Sequence, residues 1–169
     1  MKILELISKK TDCLIEFIGK FSSILICFLI LIVTLTVILR YFFSLGYVWL
    51  QDLYIWLHAS IILLGVSFTL KHNGHVRIDL LYRNASYRYK SLVNLFGYIF
   101  LTLPFCVLII SYSYDYFYRS YLLSESSKET GGLPAIYILK FLIFFMGISL
   151  IMQVLNNIYK IVKDKNGNN

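Results

Sequence analysis

Charged side chains are scarce in this sequence. Asp, Glu, Lys and Arg make up 15% of the 169 residues, and the mean hydropathy is +0.72, whereas about a quarter of the residues in a soluble domain are charged. With 59% hydrophobic residues, the chain has more apolar side chains than a soluble domain of this length can bury. The composition therefore predicts an integral membrane protein.

Cysteine and histidine are also few, which limits the chemistry that the chain can perform. Cys13, Cys27 and Cys106 lie far apart, near or inside apolar segments, so neither a disulfide framework nor zinc spacing is present. The sequence has no glycine-rich phosphate cradle and no cluster of nucleophile, base and orienting group. The net charge of +7 comes without basic runs, which argues against nucleic acid. We expect no enzymatic activity and no cofactor.

Long uncharged runs are the main positive feature. A helix needs about 20 residues to cross roughly 30 Å of hydrocarbon. Four runs approach or exceed this length, at 21–39, 53–70, 91–114 and 141–159. Pro104 lies near the middle of the third run and predicts a kink there, because proline removes a backbone hydrogen bond. We predict an all-α membrane domain, 21–159, with four transmembrane helices.

The two flanking segments are more polar. Residues 1–20 mix apolar and charged side chains at helical period, which predicts an amphipathic helix in the membrane interface. Residues 160–169 form a polar tail that we expect to be disordered. Of the 16 Lys and Arg residues, 12 lie in the N-terminus, the 71–90 loop and the tail. Because basic residues favour the cytoplasmic side, both termini are predicted to be cytoplasmic.

The entrance to the second span combines aromatic and charged residues. Trp49, Asp52 and Trp56 are three and four positions apart and share one helical stripe. Indole rings suit the membrane interface, whereas a carboxylate beside hydrocarbon needs a partner. Arg40, which ends the preceding run, is the nearest candidate in sequence, so we predict an Arg40–Asp52 pair. A role for Asp52 as a ligand of a coupling ion is the alternative.

Three histidines are the remaining ionisable candidates. His72 and His75 could hold a metal together with Asp79 in a helix, but Gly74 between them argues against a helix there. Hydrogen bonds to backbone or lipid headgroups are the favoured interpretation. His58 lies inside the second span, where an ionisable group is a functional-site candidate by position, although an imidazole hydrogen-bonded to a neighbouring helix is favoured.

The whole pattern is typical of an accessory subunit. The four predicted helices have short loops, little polarity inside the membrane, no internal repeat and no paired helix breaks, so they predict packing on a larger membrane partner. Arg77 and Asp79 belong either to a solvated loop or to an anchor against another subunit. Two other functions remain open. One is a small redox or enzyme subunit that binds a cofactor through His58, His72 and His75, and the other is a self-contained channel.

Four short motifs give the chain a family resemblance. They are VILRYF at 37–42, WLQDL at 49–53, LGVS at 64–67 and HVRID at 75–79. With these motifs the chain resembles the small membrane subunit of tripartite ATP-independent periplasmic (TRAP) transporters, the DctQ family. Gln51 stands where the family commonly has the first of two acids, so Asp52 is the only carboxylate there.

The resemblance implies sodium-coupled import of an organic acid, such as a C4-dicarboxylate or sialic acid, across the bacterial inner membrane. It also implies two partners, a periplasmic substrate-binding protein and a larger membrane subunit that carries substrate and sodium through an elevator-like movement. The small subunit would be a stationary, non-catalytic scaffold in contact with membrane lipids. The 115–140 loop would help to receive the binding protein. The residues expected to fix the periplasmic end are Arg40, Trp49, Asp52 and Trp56, and those expected to fix the cytoplasmic end are His75, Arg77 and Asp79.

Overall fold

The structure, a computed structural model, describes residues 2–75 and 85–167. These residues are helical, with no strand among them, and form five α-helices and a π turn. The helices are α1 (Lys2–Phe43), α2 (Val48–Lys71), α3 (Tyr87–Phe96), α4 (Leu103–Leu122) and α5 (Tyr137–Gly167), with the π turn at Gly97–Thr102. Because α3, the π turn and α4 are continuous, four helical segments are long and apolar enough to cross a membrane. The predicted all-α class is confirmed for the described residues, as is the number of helices that are able to span a membrane.

The helices pack in the order α1, α2, α5, α4. α2 contacts α1 on one side and α5 on the other, while α4 packs against α5. A small-residue contact brings α1 close to α2: a Cβ at Gly19 would overlap the ring of Phe68, and Ser22 Oγ donates a 3.0 Å hydrogen bond to the carbonyl of Ile61. Small residues allow such close approach of helices inside membranes.

Two apolar clusters fill the interior. One is formed by residues of α2, the π turn, α4 and α5, namely Leu70, Tyr98, Cys106, Leu150 and Val154. The other is formed by Ile15, Ile18 and Leu64, between α1 and α2, with Phe145 of α5 packed against it. Most other large apolar side chains are exposed, for example Phe28 and Leu31 of α1 and Phe100 and Leu101 of the π turn. A surface this apolar is suited to lipid or to another membrane protein.

The predicted distortion near Pro104 takes the form of the π turn. The N–H of Leu103 bonds the carbonyl of Tyr98, five residues back, and Thr102 Oγ1 bonds the carbonyl of Gly97 at 3.1 Å. In a regular helix the proline ring would clash with the carbonyl of Phe100, four residues earlier. The wider turn relieves this crowding, and the helix continues without a break to Leu122.

The helix ends differ from the limits of the uncharged runs. α1 has no break at residue 20, α5 continues through Gly167 instead of ending in a disordered tail, and the connection between α4 and α5 is 123–136 rather than 115–140. Uncharged runs mark the part of a helix that can sit in hydrocarbon, whereas backbone hydrogen bonds continue into charged residues such as Lys and Glu, which are good helix formers. The location of residues 2–20 at a membrane interface stays a prediction.

Candidate partner-binding surfaces

Asp52 fixes the loop between α4 and α5. Its Oδ2 accepts a 2.8 Å hydrogen bond from the backbone N–H of Leu133, and a Cβ at Gly132 would collide with the same oxygen. The predicted Arg40–Asp52 pair is not formed, and Arg40 is exposed and makes no ion pair with any residue in 2–75 or 85–164. Asp52 therefore joins the start of α2 to a loop 81 positions later.

The same loop is held at its base by Glu125. This carboxylate accepts hydrogen bonds from Lys140 Nζ at the start of α5 and from Ser120 Oγ at the end of α4, the latter at 2.6 Å. The Lys140 ammonium, and after it the Ser120 hydroxyl, hold the pKa of Glu125 below its ordinary value. Lys140 Nζ also lies 4.0 Å from the centre of the Tyr116 ring. The loop is thus attached to α2, α4 and α5, and it presents a fixed surface.

We call the attachment of the 123–136 loop by Asp52 and Glu125 the loop clamp. Trp49 and Trp56 lie on either side of Asp52 along α2. Trp49 is exposed and packs beside Tyr47, with ring centres 6.2 Å apart. Trp56 is partly buried, and its carbonyl accepts a 2.7 Å bond from Ser60 Oγ. Of the four residues predicted at this end, Asp52 alone contacts the loop among the interactions that the structure describes.

A second polar cluster joins α1, α2 and α5 at the opposite end. Asp12 accepts bonds from Lys160 Nζ at 2.7 and 2.8 Å and from Asn156 Nδ2 at 2.9 Å. One turn along α1, Glu16 accepts a 2.6 Å bond from Lys71 Nζ. We call these five residues the Asp12 network. Sequence reasoning missed it, although the paired four-residue spacings, 12 and 16 on α1 and 156 and 160 on α5, are a signal for facing helices.

The predicted anchor at this end is only partly within the described residues. His75 is exposed, and Arg77 and Asp79 lie outside the described residues. His72 binds Glu16, with Nε2 3.1 Å from Oε2, and its ring lies 4.5 Å from that of Phe68. Within 2–75 and 85–164 no group of three His, Cys, Asp or Glu side chains is placed to hold a metal.

Polar side chains also form a stripe along α5 inside the bundle. Ser149 Oγ is 2.8 Å from Ser67 Oγ of α2. Farther along, Gln153 Nε2 donates to Asn157 Oδ1 at 2.8 Å, and Asn157 donates to the Tyr98 hydroxyl at 3.2 Å. Hydrogen bonds between membrane helices fix their relative position, so this stripe and the Asp12 network set how α5 sits against its neighbours.

Comparison with known proteins bears on this arrangement. Residues 29–164 match the family described as "Tripartite ATP-independent periplasmic transporters, DctQ component". The chain belongs to this family. It is also similar to the C4-dicarboxylate TRAP transporter small permease protein DctQ of Vibrio cholerae, with 28% identity over 131 residues that cover 75% of this chain. The match spans 56% of that relative's length.

The DctQ match includes the loop clamp but not the beginning of α1. It contains Asp52, Leu133 and Glu125, together with the α5 side of the Asp12 network, and it starts at residue 29. Residues 2–28, which carry Asp12 and Glu16, lie before it. The clamp therefore belongs to the part of the chain that the DctQ family defines, whereas the first half of α1 does not.

Two of the three histidines lie far apart along α2. His58 and His72 are 14 positions apart along α2, which is about 21 Å at 1.5 Å per residue. The His58 side chain is exposed, between the exposed Ile55 and Ile62, and makes no hydrogen bond to the other described residues. In a DctQ-family membrane protein this places one polar group on an apolar outer face.

Proposed function

We propose that this chain is the small, non-catalytic scaffold subunit of a sodium-coupled TRAP transporter in a bacterial inner membrane. The transporter imports an organic acid delivered by a periplasmic binding protein, and the larger membrane subunit carries the substrate and sodium. A C4-dicarboxylate is favoured over sialic acid, because the similar Vibrio cholerae protein is named for C4-dicarboxylates. Membership of the DctQ family is the observation that carries this proposal.

The packing of the bundle supports a scaffold role. The space between α2, α4 and α5 is filled by side chains such as Leu70, Cys106 and Val154, each at most 8% exposed. Nearby, Ser67 of α2 and Ser149 of α5 hydrogen-bond each other. A bundle whose interior is filled and cross-linked suits a body that stays fixed while a partner moves.

The outer face of the bundle supports the proposal that this chain has a membrane partner. An imidazole among lipid chains has no hydrogen-bond partner, and leaving such a group unpaired in an apolar medium costs several kcal/mol. His58, near the middle of α2 and exposed between Ile55 and Ile62, is in this position. A helix of the larger subunit that presents a hydroxyl, carbonyl or carboxylate opposite His58 removes this cost.

The two ends of the bundle complete the proposed scaffold. At the periplasmic end, the clamp of Asp52 on the 123–136 loop gives the binding protein a fixed surface to approach. Both termini are proposed to be cytoplasmic, where the Asp12 network holds α1, α2 and α5 together. Residues proposed to structure these ends are Arg40, Trp49 and Trp56 on the periplasmic side and His75, Arg77 and Asp79 on the cytoplasmic side.

Co-purification tests the proposal. The tagged chain, extracted in mild detergent from its native membrane, is expected to bring with it a larger polytopic protein, and its deletion is expected to abolish organic-acid uptake. Replacing His58 by Leu should lower recovery of the larger protein by about 3- to 18-fold, since interhelical hydrogen bonds in membranes contribute about 0.6–1.7 kcal/mol.

Ser60→Ala is the matched control, because the Ser60 hydroxyl bonds its own helix at the Trp56 carbonyl. Isolation without a membrane partner, or substrate flux through this chain alone equal to that of the complex, would contradict the scaffold function. Unchanged recovery with His58→Leu would remove only the role given to His58.

A further inference from the structure

The first half of α1 has an unusual distribution of charge. Its acids face the bundle: Glu5 accepts a 2.8 Å bond from Lys163 Nζ, and Asp12 and Glu16 bind Lys160 and Lys71 in the Asp12 network. Its lysines at positions 2, 9, 10 and 20 are exposed. The outer surface of this segment therefore carries positive charge only.

These lysines have little internal pairing. None of the ion pairs among residues 2–75 and 85–164 includes Lys9 or Lys10, and Lys20 is 73% exposed with Glu16 3.9 Å away. Glu16 is bound more closely by Lys71, at 2.6 Å. The three ammonium groups are thus available to an external anion.

Apolar side chains occupy the surface between these lysines. Leu14, Phe17 and Phe21 follow Lys10 at intervals of four, three and four residues, so all four share one face of α1. All are exposed, Phe17 to 69%. A helix with basic and apolar groups on its outer face is typical of a membrane–water boundary.

The exposed face of α1 that carries Lys10, Leu14 and Phe17 continues into an apolar groove. Phe17 and Phe21 of α1, Leu64 of α2, and Phe141 and Phe145 of α5 line a groove of about 280 Å³. From Lys10 to Phe21 is about 17 Å along the helix, close to the roughly 15 Å thickness of one hydrocarbon leaflet. A charged headgroup at Lys9 and Lys10 would place its acyl chain along Leu14 and in this groove.

From these features we infer that the outer surface of α1 between Lys9 and Phe21 binds an anionic phospholipid. Lys9 and Lys10 hold the phosphate, and the groove lined by Phe17, Phe21 and Phe145 holds an acyl chain. The α1 residues of this site lie before the residues that match the DctQ family, and the site goes beyond the proposed transport function. The bound lipid fixes the depth at which α1 crosses the membrane–water boundary. The length of α1, about 63 Å, does not fix that depth, because it exceeds the roughly 30 Å of hydrocarbon.

The test uses Cys13, which is exposed on the same segment, as a labelling position. Cys106 is buried, so Cys27→Ser leaves Cys13 as the one accessible thiol among the three cysteines. The full chain, labelled with a fluorophore, is reconstituted in phosphatidylcholine bilayers that contain a small fraction of spin-labelled phosphatidylglycerol or spin-labelled phosphatidylcholine. We expect about fivefold stronger association of phosphatidylglycerol at this position, the effect of about one lysine near an anionic headgroup, and its loss in high salt.

Lys9→Gln/Lys10→Gln should make quenching by the two lipids equal. The control, Arg88→Gln/Lys128→Gln, removes the same net charge elsewhere and should keep the preference. Equal quenching with the unaltered lysines, or equal loss in both double variants, would overturn the site. Quenching by lipid in the isolated chain but not in the transporter complex would also overturn it, because protein would then cover this surface. Inorganic phosphate should compete no better than chloride at equal ionic strength, and stronger competition would refute the lipid assignment.

Discussion

Removing the Asp52 carboxylate should release the loop between α4 and α5. In the unaltered chain, Asp52 Oδ2 accepts the Leu133 N–H at 2.8 Å. In Asp52→Ala this N–H loses its acceptor. A hydrogen bond to a charged group contributes about 1.5–3 kcal/mol. Since 1.4 kcal/mol is a factor of ten, the local opening constant should rise by a factor of about 10 to 140.

Hydrogen exchange measures this opening directly. Amides in 123–136, and Leu133 above all, should exchange faster by that factor, whereas amides in the middle of α2 should not change. Asp52→Asn should give a smaller effect, because the amide oxygen still accepts a bond but without charge. Asp115→Ala is the control, since this exposed carboxylate of α4 lies outside the loop.

Transport provides the functional measurement for the same variant. Asp52→Ala should lower uptake while leaving the affinity of the soluble binding protein for its substrate unchanged, because the loop is proposed to receive that protein. Unaltered exchange in 123–136 would refute the clamp. Faster exchange with normal uptake would keep the clamp and refute its part in transport.

Two further predictions concern a pH effect and a close helix contact. The pKa of Glu125 is lowered in the folded loop, so the stabilising effect of this carboxylate is complete above the unfolded pKa of about 4.3 and is lost as pH falls through the lower folded pKa. Amide hydrogen exchange in 123–136, corrected for intrinsic rates, should become faster at that lower pH. Glu125→Gln should remove this pH dependence. Gly19→Ala should destabilise the α1–α2 contact by about 1–3 kcal/mol, since the new Cβ overlaps Phe68, whereas Gly97→Ala meets no atom within 4 Å. Thermal unfolding in detergent compares the two, and equal midpoints would contradict the packing described here.

The sequence predicted the fold class well because the controlling signal is local. Four uncharged runs report which segments can lie in hydrocarbon, and Pro104 marked the distorted helix because its missing N–H is a property of one residue. The exact helix ends were harder to predict from the sequence. Lys160 and Lys163 read as a solvated tail, but they extend α5 because Asp12 and Glu5 bind them.

The candidate site was predictable only where a partner is near in sequence. Asp52 was correctly identified as a carboxylate in need of a partner, but its partner is the backbone N–H of Leu133, which has no side-chain signature. The Arg40 alternative was the nearest charge in sequence, and it is not used. The acids of α1 show the same limit, since Glu16 reads as the polar face of an interfacial helix until α2 brings Lys71 beside it.

The π turn changes how the third span should be compared with other sequences. An i to i+5 turn holds one residue more than an α turn, so the side chains after Gly97–Thr102 are rotated by about 100° from the positions that an unbroken α-helix would give them. A helical wheel drawn across 87–122 would therefore assign α4 to the wrong face. Relatives that lack a proline at this point should align with a one-residue gap here, because an α turn with one residue fewer leaves the following side chains, Cys106 among them, on the same face.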